Sequence, residues 1–300
     1  MNCAADLPRA NLVGYRSDHP KVFFHCHAFP PDYRRFAPDG VTGLMPGTVA
    51  HLSALARDLG FERVTAISPC EVPEGRATAR IDEGKDGLKW LAEESVAHPE
   101  VLSFANLDPS RKDSAARLEK AYRDGFAGVK LHPVIGRFSI DVERDEDFYS
   151  LVNAFRLPLV VHLGVLPGRQ PWPIRFHHPL LLDDLASRFP EMPLIMAHGG
   201  GRAFCRDVLA VMQSNPNTYL DLTHTLDKRY AWHLPADDLA AFFDQVGPSR
   251  IIYGTDYPWY GPADLSRDLS ALRRLGIDKA GMDLIMGGTF AALSAESRRS

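Results

Sequence analysis

The sequence predicts an α/β protein, a (β/α)8 barrel of the TIM type forming a single domain over residues 1–300. Three observations carry this expectation. Short apolar runs rich in β-branched residues alternate with amphipathic stretches of helical spacing, as in repeated βα units. Several of those runs are nearly continuous in apolar residues, as strands covered on both faces are. Side chains suited to metal chemistry recur at the ends of separate runs, and a closed parallel barrel gathers such ends around one axis. An open, doubly wound sheet is the competing architecture and would leave the third observation unexplained.

After a polar lead-in to about Pro20, the expected strands are 22–25, 63–67, 101–105, 127–132, 157–162, 194–198, 218–222 and 251–253. Between them, apolar residues at the 3.6-residue period mark helices over 48–59, 87–97, 113–123, 145–155, 180–188, 203–213 and 236–245. Thr48 and Asp113 stand where a helix N-cap accepts from free backbone amides. Gly60, Gly125 and Gly276 stand where a helix ends in a left-handed residue. The irregular stretches 29–47, 68–87 and 163–179 each follow a strand and are dense in proline or glycine; in a barrel such loops build the site.

Composition narrows the partners. A length of 300 residues with 45% hydrophobic and 24% charged content is enough for one sizeable core. The formal net charge of −4 gives no basic footprint for nucleic acid or an anionic membrane, so a small molecule is the expected partner. Cys3, Cys26, Cys70 and Cys205 have no C-x-x-C spacing and read as reduced thiols. With neither a signal-like start nor a long apolar span, a cytoplasmic location is expected. The glycines at 199–201 lack the G-x-x-x-x-G-K-[ST] pattern of a phosphate loop, so they are assigned to close packing and no nucleotide cofactor is expected.

The residues that carry chemistry are His25 and His27, one residue apart and on one face of an extended strand, with His132, His162, His198 and Asp256 at later strand ends. Neutral imidazoles and a carboxylate suit one divalent ion, Zn²⁺ first, with Mn²⁺ or Fe²⁺ as other occupants. Each residue taken singly has an ordinary explanation: a buried, satisfied histidine, or a turn-capping aspartate at 256. Their common placement at strand ends argues against that explanation for the set.

The segments HCH (25–27), GVKLHP (128–133), LPLVVHLG (157–164), HPLLLDDLASRFPEMPLIMAHGGG (178–201), IIYGTDYPW (251–259) and GGTFAALS (287–294) resemble the amidohydrolase superfamily. The resemblance is to its amidohydrolase-related (amidohydrolase 2) branch of metal-dependent hydrolases and decarboxylases. It implies that His25, His27, His162 and Asp256 bind one metal, with His198 beside the substrate and, together with Asp256, catalytic. One position departs from the branch. The aspartate usual two residues before the first histidine is Phe23 here, so either another residue orients the ligand or the metal is held less tightly.

Substrate contacts are expected from Lys130 and His132 on the fourth strand, and from His177, His178, Arg137, Arg169, Arg175, Trp172 and Trp259 on loops at the same mouth. Lys130 has two readings: a buried ion pair, or the carboxylated lysine that bridges two metals in some relatives. The expected activity is hydrolysis of a small carbonyl compound, a lactone, cyclic amide or ester, by a hydroxide on the metal. Non-oxidative decarboxylation of an aromatic or unsaturated carboxylic acid is the alternative enzyme. An inactive barrel serving as a binding or scaffold protein is the non-enzyme alternative. A homodimer is compatible with the family.

Overall fold

The structure, a computed structural model, describes residues 12, 15–31, 47–70, 86–166, 173–176, 178–259 and 262–296. Its strands are β1 (Val22–Cys26), β2 (Arg63–Ile67), β3 (Val101–Asn106), β4 (Gly128–Leu131), β5 (Leu159–His162), β6 (Leu194–Ala197), β7 (Thr218–Asp221), β8 (Ile251–Ile252) and β9 (Gly254–Tyr257). All neighbouring pairs are parallel, in the order β8-β7-β6-β5-β4-β3-β2-β1-β9. β8 and β9 are two halves of one eighth strand, interrupted at Tyr253. The first half pairs with β7 and the second with β1, which closes the ring. The barrel expected from sequence is therefore present, with its last strand divided between its two neighbours.

Helices α1 (Val49–Asp58), α2 (Gly87–Ser95), α3 (Ser114–Arg123), α4 (Glu146–Ala154), α5 (Leu181–Arg188), α6 (Gly201–Ser214) and α7 (Ala236–Gln245) follow the strands as expected. Among the described residues, helices α8 (Pro262–Arg274) and α9 (Thr289–Glu296) lie outside the expected segments, as do the short turns of helix at Pro133–Gly136 and Lys279–Asp283. Thr48 caps α1 by accepting from the His51 amide at 3.3 Å. Asp113 does not cap α3: its carboxylate instead accepts from Nε and Nη2 of Arg111, at 2.9 and 3.0 Å. No disulfide joins Cys26, Cys70 or Cys205.

Two apolar layers result from alternation along the strands. Val22, Phe24, Phe104, Val160, Ile195 and Ile252 fill the barrel interior together with Phe290 and Leu293 from α9. Phe23, Val64, Val129, Val161, Met196 and Leu220 face outward and pack against Leu52, Leu118, Val152, Leu185, Val208 and Phe242 of the helices. Phe23 lies in this outer layer, with its ring 4.9 Å from Phe61. A carboxylate there would be buried among aromatic rings rather than turned toward the barrel axis.

Candidate metal and catalytic site

Strict alternation would also send His25 and His198 outward, because Phe24 and Ala197 just before them point in. Both residues instead adopt left-handed backbone, with φ of 53° and 60°, which turns their imidazoles inward. His224 (φ 65°) and Asp256 (φ 58°) do the same at neighbouring strand ends. Each non-glycine residue in this region costs roughly 1–2 kcal/mol. Strain concentrated at one rim marks a place where side-chain direction matters more than local stability. His25 and Asp256 both fall within the irregularity of the β1–β9 pairing, where Phe24 pairs with Gly254 but Cys26 pairs with Tyr257.

The donor atoms of His25, His27 and Asp256 all lie within 4.8 Å of one another, a group able to hold a cation. Asp256 Oδ1 is 2.9 Å from His27 Nε2 and 3.7 Å from His25 Nε2, and its Oδ2 is 3.1 Å from His224 Nε2. Burial pushes the Asp256 carboxyl upward, but the bonds from His224 and His27 outweigh it and hold the group well below the usual carboxylate range. His25 Nδ1 donates to Asp221 Oδ2 at 2.5 Å, so its lone pair is on Nε2, 3.1 Å from Lys130 Nζ. Burial, reinforced by Lys130, pushes the His25 imidazole down to about 4, and burial pushes the Lys130 ammonium down to about 8.

A chain of forced tautomers runs through the other two histidines. His198 Nδ1 lies 3.2 Å from the Thr223 carbonyl, which can only accept, so this nitrogen carries the proton. The neutral His198 Nε2 must then accept from His162 Nδ1 at 3.1 Å, which leaves a bare lone pair on His162 Nε2. That nitrogen is buried without a hydrogen-bond partner. Burial, first of the causes in each case, holds the imidazoles of His132, His162 and His198 well below their ordinary value, so all three are neutral at pH 7. The Nε2 atoms of His25 and His27 beside the Asp256 carboxylate, with the orphaned His162 Nε2 nearby, form a nitrogen and oxygen donor set that fits a borderline divalent cation.

The walls are aromatic. Trp232 lies over His198 with ring centroids 4.8 Å apart, His132 stacks on His162 at 4.0 Å, and Phe29 stacks on His27 at 6.1 Å. The family model described as amidohydrolase matches residues 51–293, most of the chain. The chain belongs to the amidohydrolase family. Among solved structures, the chain is similar to 2,6-dihydroxybenzoate decarboxylase in complex with 2,6-dihydroxybenzoate, at 18% identity and TM-score 0.67, covering 93% of this chain and 99% of that one. A zinc-bound amidohydrolase from Burkholderia multivorans is 17% identical with TM-score 0.65, covering 92% and 99%. A probable 2-pyrone-4,6-dicarboxylic acid hydrolase from Acinetobacter baumannii, with citric acid bound, is 13% identical with TM-score 0.64, over the same shares. No curated protein matches the sequence.

Within this barrel the expected site residues are placed as follows. His25, His27 and Asp256 form the cation-sized group; His162 stands beside it through His198, its donor atoms outside that group. Lys130 and His132 are buried in the same cluster. Trp259 joins its outer edge through Phe29, 5.9 Å away. Arg137 is exposed and caps the helical turn Pro133–Gly136. Arg175 and His178 line a separate groove with Ile140, Glu143 and Leu180, which shares no residue with the histidine cluster. His177, Arg169 and Trp172 lie outside the described residues. Sequence reading passed over Asp221, Thr223 and His224, although the stretch LDLTHT places an acid and a histidine at a strand end, the same signal used for the other strands.

Proposed function

We propose that this chain is a metal-dependent hydrolase of a small carbonyl compound, a lactone, cyclic amide or ester. The observation that carries the reading is the His25, His27 and Asp256 group at the C-terminal mouth of a family barrel, where substrate loops converge. His25, His27, Asp256 and, through its bare Nε2, His162 would hold the ion. A divalent ion there supplies Lewis acidity toward a carbonyl oxygen and lowers the pKa of coordinated water toward ~7.

The chain's own residues do the rest. Asp256, kept ionised by His224 and His27, accepts a proton from water at Oδ1, the oxygen facing the cluster. His198, anchored by its Nδ1–H on the Thr223 carbonyl, receives that proton from Asp256 at Nε2, where it displaces the hydrogen bond from His162 Nδ1, and passes it to the leaving group. Because burial opposes its charged form, the protonated imidazole is a strong acid, suited to that transfer. The Trp232 ring over His198 and the Phe29 ring over His27 exclude water and favour a flat substrate.

Buried Lys130 favours a second reading, decarboxylation of an aromatic or unsaturated acid, because its cationic form can face a substrate carboxylate beside those flat walls. Both activities occur in the names of the structural neighbours. A screen of the Zn²⁺- and Mn²⁺-loaded protein against matched lactones, cyclic amides, esters and benzoate-type acids tests the assignment. Turnover of the carbonyl series without release of CO₂ from the acids is expected. CO₂ release alone would replace hydrolysis with decarboxylation, and no turnover together with no bound metal would leave the binding or scaffold role.

A further inference from the structure

One fully buried carboxylate at the strand ends belongs to neither the expected ligand nor the expected substrate set: Asp221 at the end of β7, which meets Nδ1 of the equally buried His25. The Asp221 carboxylate is built into place from both sides. Its Oδ1 receives the Thr223 amide at 3.0 Å and the Thr223 hydroxyl at 2.6 Å, while Oδ2 receives His25 Nδ1 at 2.5 Å. The attraction of His25 and the hydrogen bonds from His25 and Thr223 outweigh burial and keep the carboxyl below its ordinary value. Nothing but glycine fits opposite it, since a Cβ on Gly254 would fall 2.5 Å from Asp221 Oδ1.

We infer that Asp221 is a positioning residue that fixes His25 as the Nδ1–H tautomer and presents its Nε2 lone pair to the cation, the task the missing carboxylate at position 23 leaves open. Phe23 cannot take this part, because its side chain lies in the outer layer against Phe61 and Tyr257. The carboxylate therefore comes from β7, separated from β1 only by the divided eighth strand but 196 residues away in sequence. A carboxylate behind a ligating histidine both orients the ring and raises its basicity toward the metal. The inference rests on the reading that His25 is a ligand.

Asp221→Asn is a demanding test because Thr223 decides which way the new amide turns. Both Thr223 donors point at Oδ1, so the amide oxygen must stay there and the NH2 must face His25 Nδ1. A donor at that position shifts His25 toward the Nε2–H tautomer, which blocks ligation through Nε2, against the longer alternative of Nδ1–H on Thr223 Oγ1 at 3.3 Å. The readouts are the His25 tautomer, from long-range ¹H–¹⁵N spectra of the metal-free full-length protein assigned by the peak lost in His25→Ala, and the Zn²⁺ dissociation constant from chelator competition. We expect Nδ1–H in the wild type, Nε2–H in Asp221→Asn, and a Zn²⁺ Kd raised about 10–100-fold. A wild-type His25 found as Nε2–H overturns the inference even if the variant does not fold. A folded variant with unchanged tautomer and unchanged Kd overturns it equally. A tautomer switch in a protein that binds no Zn²⁺ in either form supports the positioning role of Asp221 and overturns the metal reading instead.

Discussion

His198 has its two ring nitrogens committed, Nδ1 to the Thr223 carbonyl and Nε2 to His162, while Trp232 covers one face. The Thr223 bond and the Trp232 ring hold the imidazole in place while Nε2 exchanges its His162 hydrogen bond for a proton, and a general acid so oriented contributes strongly to rate. His198→Ala is expected to lower kcat by on the order of 10²-fold or more, with Zn²⁺ affinity changed far less. A variant with full kcat would remove His198 from the chemistry. At this scale the sequence shows the first layer of the site and hides the second. His25, His27, His162, His198 and Asp256 are legible because unusual residue types close apolar runs. Asp221 is not, because an aspartate ending a strand before a turn has the ordinary reading of a turn residue. Its partner, 196 positions earlier, can be identified only from the closed barrel.

The eighth strand is the element on which the site depends. Gly254 begins its second half, and a side chain there would overlap Asp221 Oδ1 at 2.5 Å and His25 Cβ at 2.9 Å. Gly254→Ala is expected to cost about 1–3 kcal/mol of stability, from overpacking, and to weaken Zn²⁺ binding. Gly247→Ala is the control. Its φ of 82° is left-handed but its Cβ would meet nothing within 4 Å, so it is expected to cost roughly 1–2 kcal/mol and leave Zn²⁺ affinity intact. Urea titrations of both variants with chelator competition check this, and equal effects on metal binding would detach Gly254 from the site. The division of this strand was not legible, because IIYGTDY reads as one short run ended by a turn. The left-handed φ at Asp256 lets the chain continue pairing with β1 beyond it. Similarly, hydrophobic alternation at 22–25 predicts a strand but places His25 on the wrong face, and only its positive φ corrects this.

For the whole molecule, the buried histidines tie stability to pH. Burial, with help from neighbouring charges, holds His25 down to about 4 and holds His132, His162 and His198 well below their usual value. In the unfolded chain the same groups titrate near ~6.5. Between about 4 and 6.5 the unfolded state therefore binds more protons, so the stability of the metal-free protein rises with pH across that window and levels off above about 7. Urea midpoints measured from pH 4.5 to 8 should follow this rise, and a flat profile would mean that the imidazoles are not held neutral. The barrel and its eight-unit order were the most legible features, because alternation repeated along the entire chain outweighs an error in any one element. The second half of strand eight and helices α8 and α9 were less so.

The central claim is that distant side chains converge to bind a catalytic cation. Metal analysis of the purified full-length protein after loading with Zn²⁺ and removal of excess, beside Asp256→Asn, tests it most directly. About one tightly held equivalent is expected in the wild type and a large loss in the variant. Less than about a tenth of an equivalent in the wild type would contradict it.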